Sequence, residues 1–323
     1  VCSRTMLWPG RLIHEVLRGV PVFILAVIFS TCFSGCAQFK AGYFDGYGKG
    51  LYKNGDYDGA IREFNLGIEA DPNYYRLYND RGLAFNAKGE HDRAIQDFNF
   101  VLKHNPNDAV ALNNRGLAYY SKGEIDRAIQ DFDQSIRLSP KSAIAFSNRC
   151  LAFHVMGNQA RAIEDCSVSI RLNPNYAVAF NYRGVAYNTA GDHIRAVQDY
   201  NEAIRLNPKD VLAINNRGLA YEALGDHERA IGDYNEAIRI APRFAKAFNN
   251  RGVVYFHQKD YGLAIQDFTE AIRLDPTDGL SFRNRADAYL HKGDKVHALQ
   301  DSNEALRLGQ VSTSASAPAS KVH

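Results

Sequence analysis

The sequence predicts an all-α solenoid of about eight helix-turn-helix repeats, and three observations carry that expectation. Seven prolines, Pro72, Pro106, Pro140, Pro174, Pro208, Pro242 and Pro276, stand 34 residues apart, a period that marks a repeat array. Setting the proline at repeat position 32 divides the chain into units 41–74, 75–108, 109–142, 143–176, 177–210, 211–244, 245–278 and 279–312. Residues then fall into columns: position 20 is Ala in all eight, from Ala60 to Ala298, and position 8 is Gly except at Cys150 and Ala286. Finally, apolar positions 4, 8 and 11 share one helical face and 20, 21, 24 and 28 share another, so each unit reads as two amphipathic helices.

Ahead of the array, residues 1–36 read as a targeting segment. Arg4, Arg11 and Arg18 precede or flank an apolar run from Val20 to Phe33, which is followed by Ser34, Gly35 and Cys36. A positive flank, a short apolar run and a small-residue exit describe a secretory signal peptide. The run has about 14 residues where roughly 20 span a bilayer core, so an uncleaved anchor is the weaker expectation. The chain opens on Val1, and Met6 would serve equally as a start. The stretch Phe33-Ser34-Gly35-Cys36 resembles the lipobox of bacterial lipoproteins, although that family favours Leu where Phe33 stands. The resemblance implies lipidation of Cys36 and a tether in the bacterial envelope, with Ala37 favouring the outer membrane. Ordinary cleavage after Ala37, giving a soluble exported protein, is the other reading.

Each element of the repeat has a local reason. The first helix carries small residues at position 8 and Leu51, Phe85, Tyr119 and their counterparts at position 11. It ends at a Gly in position 15, which suits left-handed backbone, and a short polar residue at 16 suits the cap of the next helix, as in Gly191-Asp192 and Gly225-Asp226. The second helix carries Ala at 20 and an aromatic at 24, and the proline at 32 blocks its continuation. A hairpin with apolar surface on both sides must stack on neighbours. The ends differ: repeat 1 is Gly-rich (Gly42, Gly46, Gly48, Gly50), and repeat 8 has Ala286, Ser302 and Gln310 in place of Gly, aromatic and Pro. Residues 313–323 are small and polar and read as a disordered tail.

The columns of aromatic, Gly, Tyr, Ala, Phe and Pro resemble the tetratricopeptide repeat over residues 41–312. The resemblance implies a right-handed superhelix whose first helices line a concave groove, with other proteins or peptides as partners. On the first helix, positions 2, 6, 9 and 13 project opposite the packing face, flanked by 5 and 12. Position 5 holds Asn79, Asn113, Asn181, Asn215 and Asn249, with Ser147 and Arg283 completing it. Position 6 holds Asn114, Asn148, Asn216, Asn250 and Asn284, with Asp80 and Tyr182. Asn both donates and accepts, so such a ladder suits the backbone of an extended peptide; solvated Asn copied by repeat duplication is the bland counterpart. Leu83, Leu117, Leu151, Val185, Leu219 and Val253 at position 9 either grip ligand side chains or belong to the helix-to-helix core. They also replace the basic set that a cochaperone carboxylate clamp requires.

Two further patterns are structural. Position 7 is Arg from Arg81 to Arg285 and position 23 is acidic throughout; repeat 1 alone lacks the Arg, so each Arg is expected to reach back to the acid of the preceding repeat. In repeat 4, Cys150 and Cys166 replace Gly and the aromatic on facing helices, which suggests either a disulfide in an oxidising compartment or simple volume compensation.

Composition narrows the function. With 46% apolar residues and a net charge of +2 the chain is neither disordered nor a basic nucleic-acid binder. Loss of residues 1–35 removes three Arg and Glu15, leaving 35 basic and 35 acidic residues. The stretch Asn54-Gly55-Asp56-Tyr57-Asp58-Gly59 resembles a calcium loop but ends at Asn65 where Glu is needed. His257 and His291 lack a third ligand, and no phosphate loop, nucleophile elbow or HExxH helix occurs. The expectation is a non-catalytic interaction scaffold of the bacterial envelope, without cofactor or metal. A self-associating structural protein and an accessory subunit of an envelope enzyme complex are the alternatives.

Overall fold

The computed structural model describes residues 22–314, with side chains over 37–309; the start of the leader, the Cys36 side chain and the end of the tail lie outside them. The described chain is helical throughout, in hairpins that follow one another along the sequence. These are α1 (Val22–Lys53) with α2 (Tyr57–Ala70), α3 (Tyr75–Ala87) with α4 (His91–His104), α5 (Ala109–Ser121) with α6 (Ile125–Leu138), and α7 (Ala143–Val155) with α8 (Gln159–Leu172). Then come α9 (Ala177–Thr189) with α10 (His193–Leu206), α11 (Val211–Ala223) with α12 (His227–Ile240), α13 (Ala245–His257) with α14 (Tyr261–Leu274), and α15 (Gly279–His291) with α16 (Lys295–Ser314). Two compact units result, one of α1 to α4 and one of α5 to α16. Within each unit, first helices of successive hairpins touch one another, whereas second helices do not. First helices therefore lie on the tighter side of the stack.

The turn chemistry follows from backbone geometry. Gly55, Gly89, Gly123, Gly157, Gly191, Gly225 and Gly293 hold φ between 78° and 85°, where a side chain is strained, and Lys259 occupies the same turn at 65°. Asp192 and Asp226 cap the following helix through bonds from Arg195 N (3.0 Å) and Arg229 N (3.1 Å). Glu90 and Glu124, expected to do the same, form no side-chain cap bond. Their carboxylates pair with Arg93 and Arg127, a contact that Asp192 and Asp226 also make, with Arg195 and Arg229, in addition to the cap.

Close approach of the two helices in a hairpin explains the position 8 column. A Cβ on Gly116 would stand 2.6 Å from the Phe132 ring, and on Gly184 or Gly252 it would stand 2.7 Å from Tyr200 or Phe268. Each aromatic ring at position 24 thus packs directly against a glycine and is fully buried. In repeat 4 the same two positions are Cys150 and Cys166, with Cα atoms 5.5 Å apart and sulfurs bonded.

Pairing of the Arg and Asp columns corrects the expected register. Each Arg forks onto the Asp of its own repeat, as in Arg81 to Asp97 (2.9 and 2.7 Å), Arg183 to Asp199 (2.8 and 2.7 Å) and Arg285 to Asp301 (2.7 and 2.8 Å). The remaining guanidinium nitrogen does reach back one repeat, but to position 25: Asn65, Asp133, Ser167, Asn201, Asn235 and Thr269 accept it. The ion pair therefore closes a hairpin, and the link between hairpins is mostly a hydrogen bond to a neutral group. Burial pushes the Asp97, Asp165 and Asp199 carboxyls up, against the pull of their Arg partners.

At the C-terminal end α16 runs to Ser314, two residues into the segment read as a tail. Gln310 stands where the other repeats have proline, so nothing stops the helix at its usual place. Among the described residues, no helix is long and apolar enough to cross a membrane.

Candidate functional site

The first-helix face carries the candidate residues, and the structure shows how they are held. In the second unit the Asn columns bond to each other between hairpins: position 6 of one repeat donates to position 5 of the repeat before. Asn148 Nδ2 donates to Asn113 Oδ1 at 2.9 Å, Asn216 to Asn181 at 3.2 Å, Asn250 to Asn215 at 3.0 Å and Asn284 to Asn249 at 2.9 Å. Asn113, Asn181, Asn215 and Asn249 are buried in this contact between hairpins. Asn113 also donates to Asn114 Oδ1 at 3.3 Å, and in the first unit Asn79 donates to Asp80 Oδ1 at 3.5 Å. The two columns differ in access: Asn113, Asn181, Asn215 and Asn249 at position 5 are buried, while Asn216, Asn250 and Asn284 at position 6 are partly exposed. Asn148 and Asn114 are buried despite lying at position 6.

One rung interrupts the series. Ser147 and Tyr182 stand where Asn pairs would, Ser147 is fully buried, and burial pushes the Tyr182 hydroxyl up to about 12. Tyr182 packs against the cluster around Cys150, Phe153 and Cys166. A bulky ring here fills the space left where a disulfide has replaced the usual aromatic.

In the first unit the equivalent rung is made of two carboxylates, Asp45 on α1 and Asp80 on α3. Lys49 Nζ lies 2.7 Å from Asp45 and 3.0 Å from Asp80, and Arg76 Nε lies 3.7 and 3.9 Å from them. Burial pushes the Asp80 carboxyl above the ordinary range, and neighbouring Asp45 adds to the rise against the pull of Lys49. Reasoning from the sequence passed over Asp45, because its significance depends on which column it meets in the next repeat.

The apolar column at position 9 is largely core. Leu151 is buried, and Val185, Leu219 and Val253 pack against buried clusters centred on Tyr200, Tyr234 and Phe268. In the second unit, position 2 instead carries exposed apolar groups, at Val110 (62% exposed), Ile144 (53%) and Leu280 (53%), with Leu290 exposed at position 12. That column was readable in the sequence as Val110, Ile144, Val178, Leu212 and Leu280, interrupted by the basic Arg76 and Lys246. The two histidines at position 13 do not converge on a third ligand. His257 Nδ1 stands 3.5 Å from Glu222, while His291 stacks on Tyr261 at 5.0 Å between ring centres.

Sequence models described as tetratricopeptide repeat match residues 109–142, 211–244 and 245–278, and a second model of the repeat matches 82–123 and 187–225. The chain is a tetratricopeptide-repeat protein. Solved tetratricopeptide structures share its fold. One is the APC/C hetero-tetramer Cut9–Hcn1, at 20% identity and a TM-score of 0.68, over 82% of this chain and 52% of that one. Another is a tetratricopeptide repeat protein of Parabacteroides merdae ATCC 43184, at 18% identity and a TM-score of 0.61, over 77% of this chain and 98% of that one. This chain thus spans about half the length of the first relative. A comparison with curated proteins finds no match. Tetratricopeptide repeats bind other proteins or peptides.

Proposed function

We propose that this protein is a non-catalytic scaffold of the bacterial cell envelope that binds extended polypeptides along its first-helix face and so brings partner proteins together. One observation carries the reading: exposed Val110, Ile144 and Leu280 at position 2 lie on the same first helices as the Asn rungs. An extended chain laid across successive first helices meets exposed apolar groups at Val110 and Ile144 and, on α15, an apolar group beside a partly exposed amide at Leu280 and Asn284, the combination that grips side chains by burial and backbone by hydrogen bonding. Asn113, Asn181, Asn215 and Asn249 are buried, so ligand contact falls to the partly exposed Asn216, Asn250 and Asn284. Location follows from the leader: the lipobox-like end at Cys36 supports a lipid-tethered form, and cleavage after Ala37 would release the same scaffold as a soluble exported protein.

The test separates binding from folding. Val110→Ser with Ile144→Ser removes exposed apolar groups without touching the rungs, so envelope proteins cross-linked by the wild-type chain should be lost while the melting temperature holds. Unchanged cross-linking in this variant overturns the assigned face. Mass analysis of the mature N-terminus tests the location: a diacylated or triacylated Cys36 supports the tether, and an intact leader on a cytosolic protein rejects export.

A further inference from the structure

The first helix of the array differs from every later first helix along one stripe. Phe39, Tyr43 and Tyr47 recur every four residues on α1 and are 79%, 65% and 54% exposed. Tyr43 stands at position 3, where the later repeats have Leu77, Ala111, Ala145, Ala179, Ala213, Ala247 and Ser281, all exposed by 1% or less. Leu77 is the largest residue accommodated there, and it fits because Gly67 lies beneath it; a Cβ on Gly67 would come within 2.7 Å of Leu77. Tyr47 stands at position 7, which is Arg paired with buried Asp in the later repeats. At position 3 a bulky amphipathic ring therefore replaces the mostly small residues that stack in the later repeats, and at position 7 another replaces the paired Arg. Tyr43 is larger than any residue that the later repeats accommodate at position 3.

The surroundings of the stripe point to its occupant. A cleft of about 410 Å³ beside it is lined chiefly by carbon, from Phe39, Tyr43, Phe44 and Leu66, with Lys40 and Glu69 at its edge. The helix is continuous from Val22, so the uncharged run to Phe33 and Cys36 lies immediately upstream of Phe39. At 1.5 Å per residue, Tyr47 is only roughly 16 Å along the helix from position 36. Aromatic rings with an apolar body and a polar tip settle at the headgroup level of a bilayer, and a nearby Lys favours anionic lipid.

We propose that α1 docks on the membrane surface through Phe39, Tyr43 and Tyr47, its axis lying close to the membrane plane. The inference rests on the envelope reading above, since the leader or the Cys36 lipid must deliver the helix to the bilayer. The stripe then fixes how the first unit lies on the membrane, where a lipid tether alone leaves it free to swing.

The full chain, purified from bacterial membranes with its anchor, is reconstituted in vesicles of phosphatidylethanolamine and phosphatidylglycerol. Tyr43→Trp in a Trp8→Phe background supplies one reporter, Phe39→Trp a second, and Lys103→Trp on α4 a reference. An interfacial helix sinks its apolar face ~5–10 Å into the boundary, so lipids brominated high on the acyl chain should quench positions 39 and 43 roughly threefold more than position 103. Equal quenching at all three positions in protein that floats with the vesicles overturns the inference and leaves the envelope reading standing. Protein that fails to float overturns the inference together with the lipid-tethered form, and an intact leader on a cytosolic protein would overturn the envelope reading itself.

Discussion

Lys259 holds φ at 65° in the turn where seven other repeats place Gly. A left-handed non-Gly residue costs about 1–2 kcal/mol, and Gly itself returns part of that gain as backbone entropy. Lys259→Gly should therefore stabilise the protein by about 1 kcal/mol in denaturant unfolding. Asp80 presents the opposite kind of residue, a carboxyl whose burial raises its pKa beside Asp45. Because the folded value lies above the unfolded one, the folded state binds the proton more tightly. The charged form thus costs stability above the folded pKa, and that cost disappears as pH falls below the unfolded value. Asp80→Asn rebuilds a rung in which an amide donates to Asp45, so it should raise the melting temperature at pH 7. The gain should shrink as pH falls through the Asp80 titration; a gain constant with pH would show that the carboxylate pair is not its source.

At the scale of the hairpin, repeat 4 solves by covalent bonding what the others solve by packing. Six repeats set Gly at position 8 against an aromatic at 24, whereas Cys150 and Cys166 bridge the same gap with a bond across 16 residues. Closing a loop of that size is worth about 3 kcal/mol on chain-entropy grounds. Reduction should lower the melting temperature of the wild-type protein accordingly. The double variant Cys150→Gly with Cys166→Phe restores the packing used elsewhere, and its melting temperature should not respond to reductant. Tyr182 borders this site, so a melting temperature of that variant well below that of the oxidised wild type would mean the ring blocks the restored aromatic. The Arg column has a related logic: it closes a hairpin onto a buried Asp and uses one spare nitrogen to reach the next.

Across the array, stability is a sum of hairpins and their nearest-neighbour contacts, because a repeat touches only the repeats beside it. Damage should stay local. Gly116→Ala forces a Cβ against the Phe132 ring at 2.6 Å, an overpacking expected to cost about 1–3 kcal/mol. Hydrogen exchange should then quicken in α5, α6 and α7 while α13 to α16 keep wild-type protection; uniform loss of protection would mean the second unit unfolds as one. The hairpins, their turns and the packing of small against aromatic residues were all legible in the chain, since each depends on residues within one 34-residue period. Period, helix phase and local backbone chemistry determined the family and its two-helix unit before any coordinates. Only the tertiary structure decided that Arg pairs within its own repeat, that Asn at position 5 is consumed by Asn at position 6 of the next, and that position 2 rather than position 9 is exposed. Helical phase places a side chain on a face to within about 50°, half of the 100° between successive residues. Whether that face is covered depends on how the neighbouring hairpin is rotated and shifted, which no single repeat encodes.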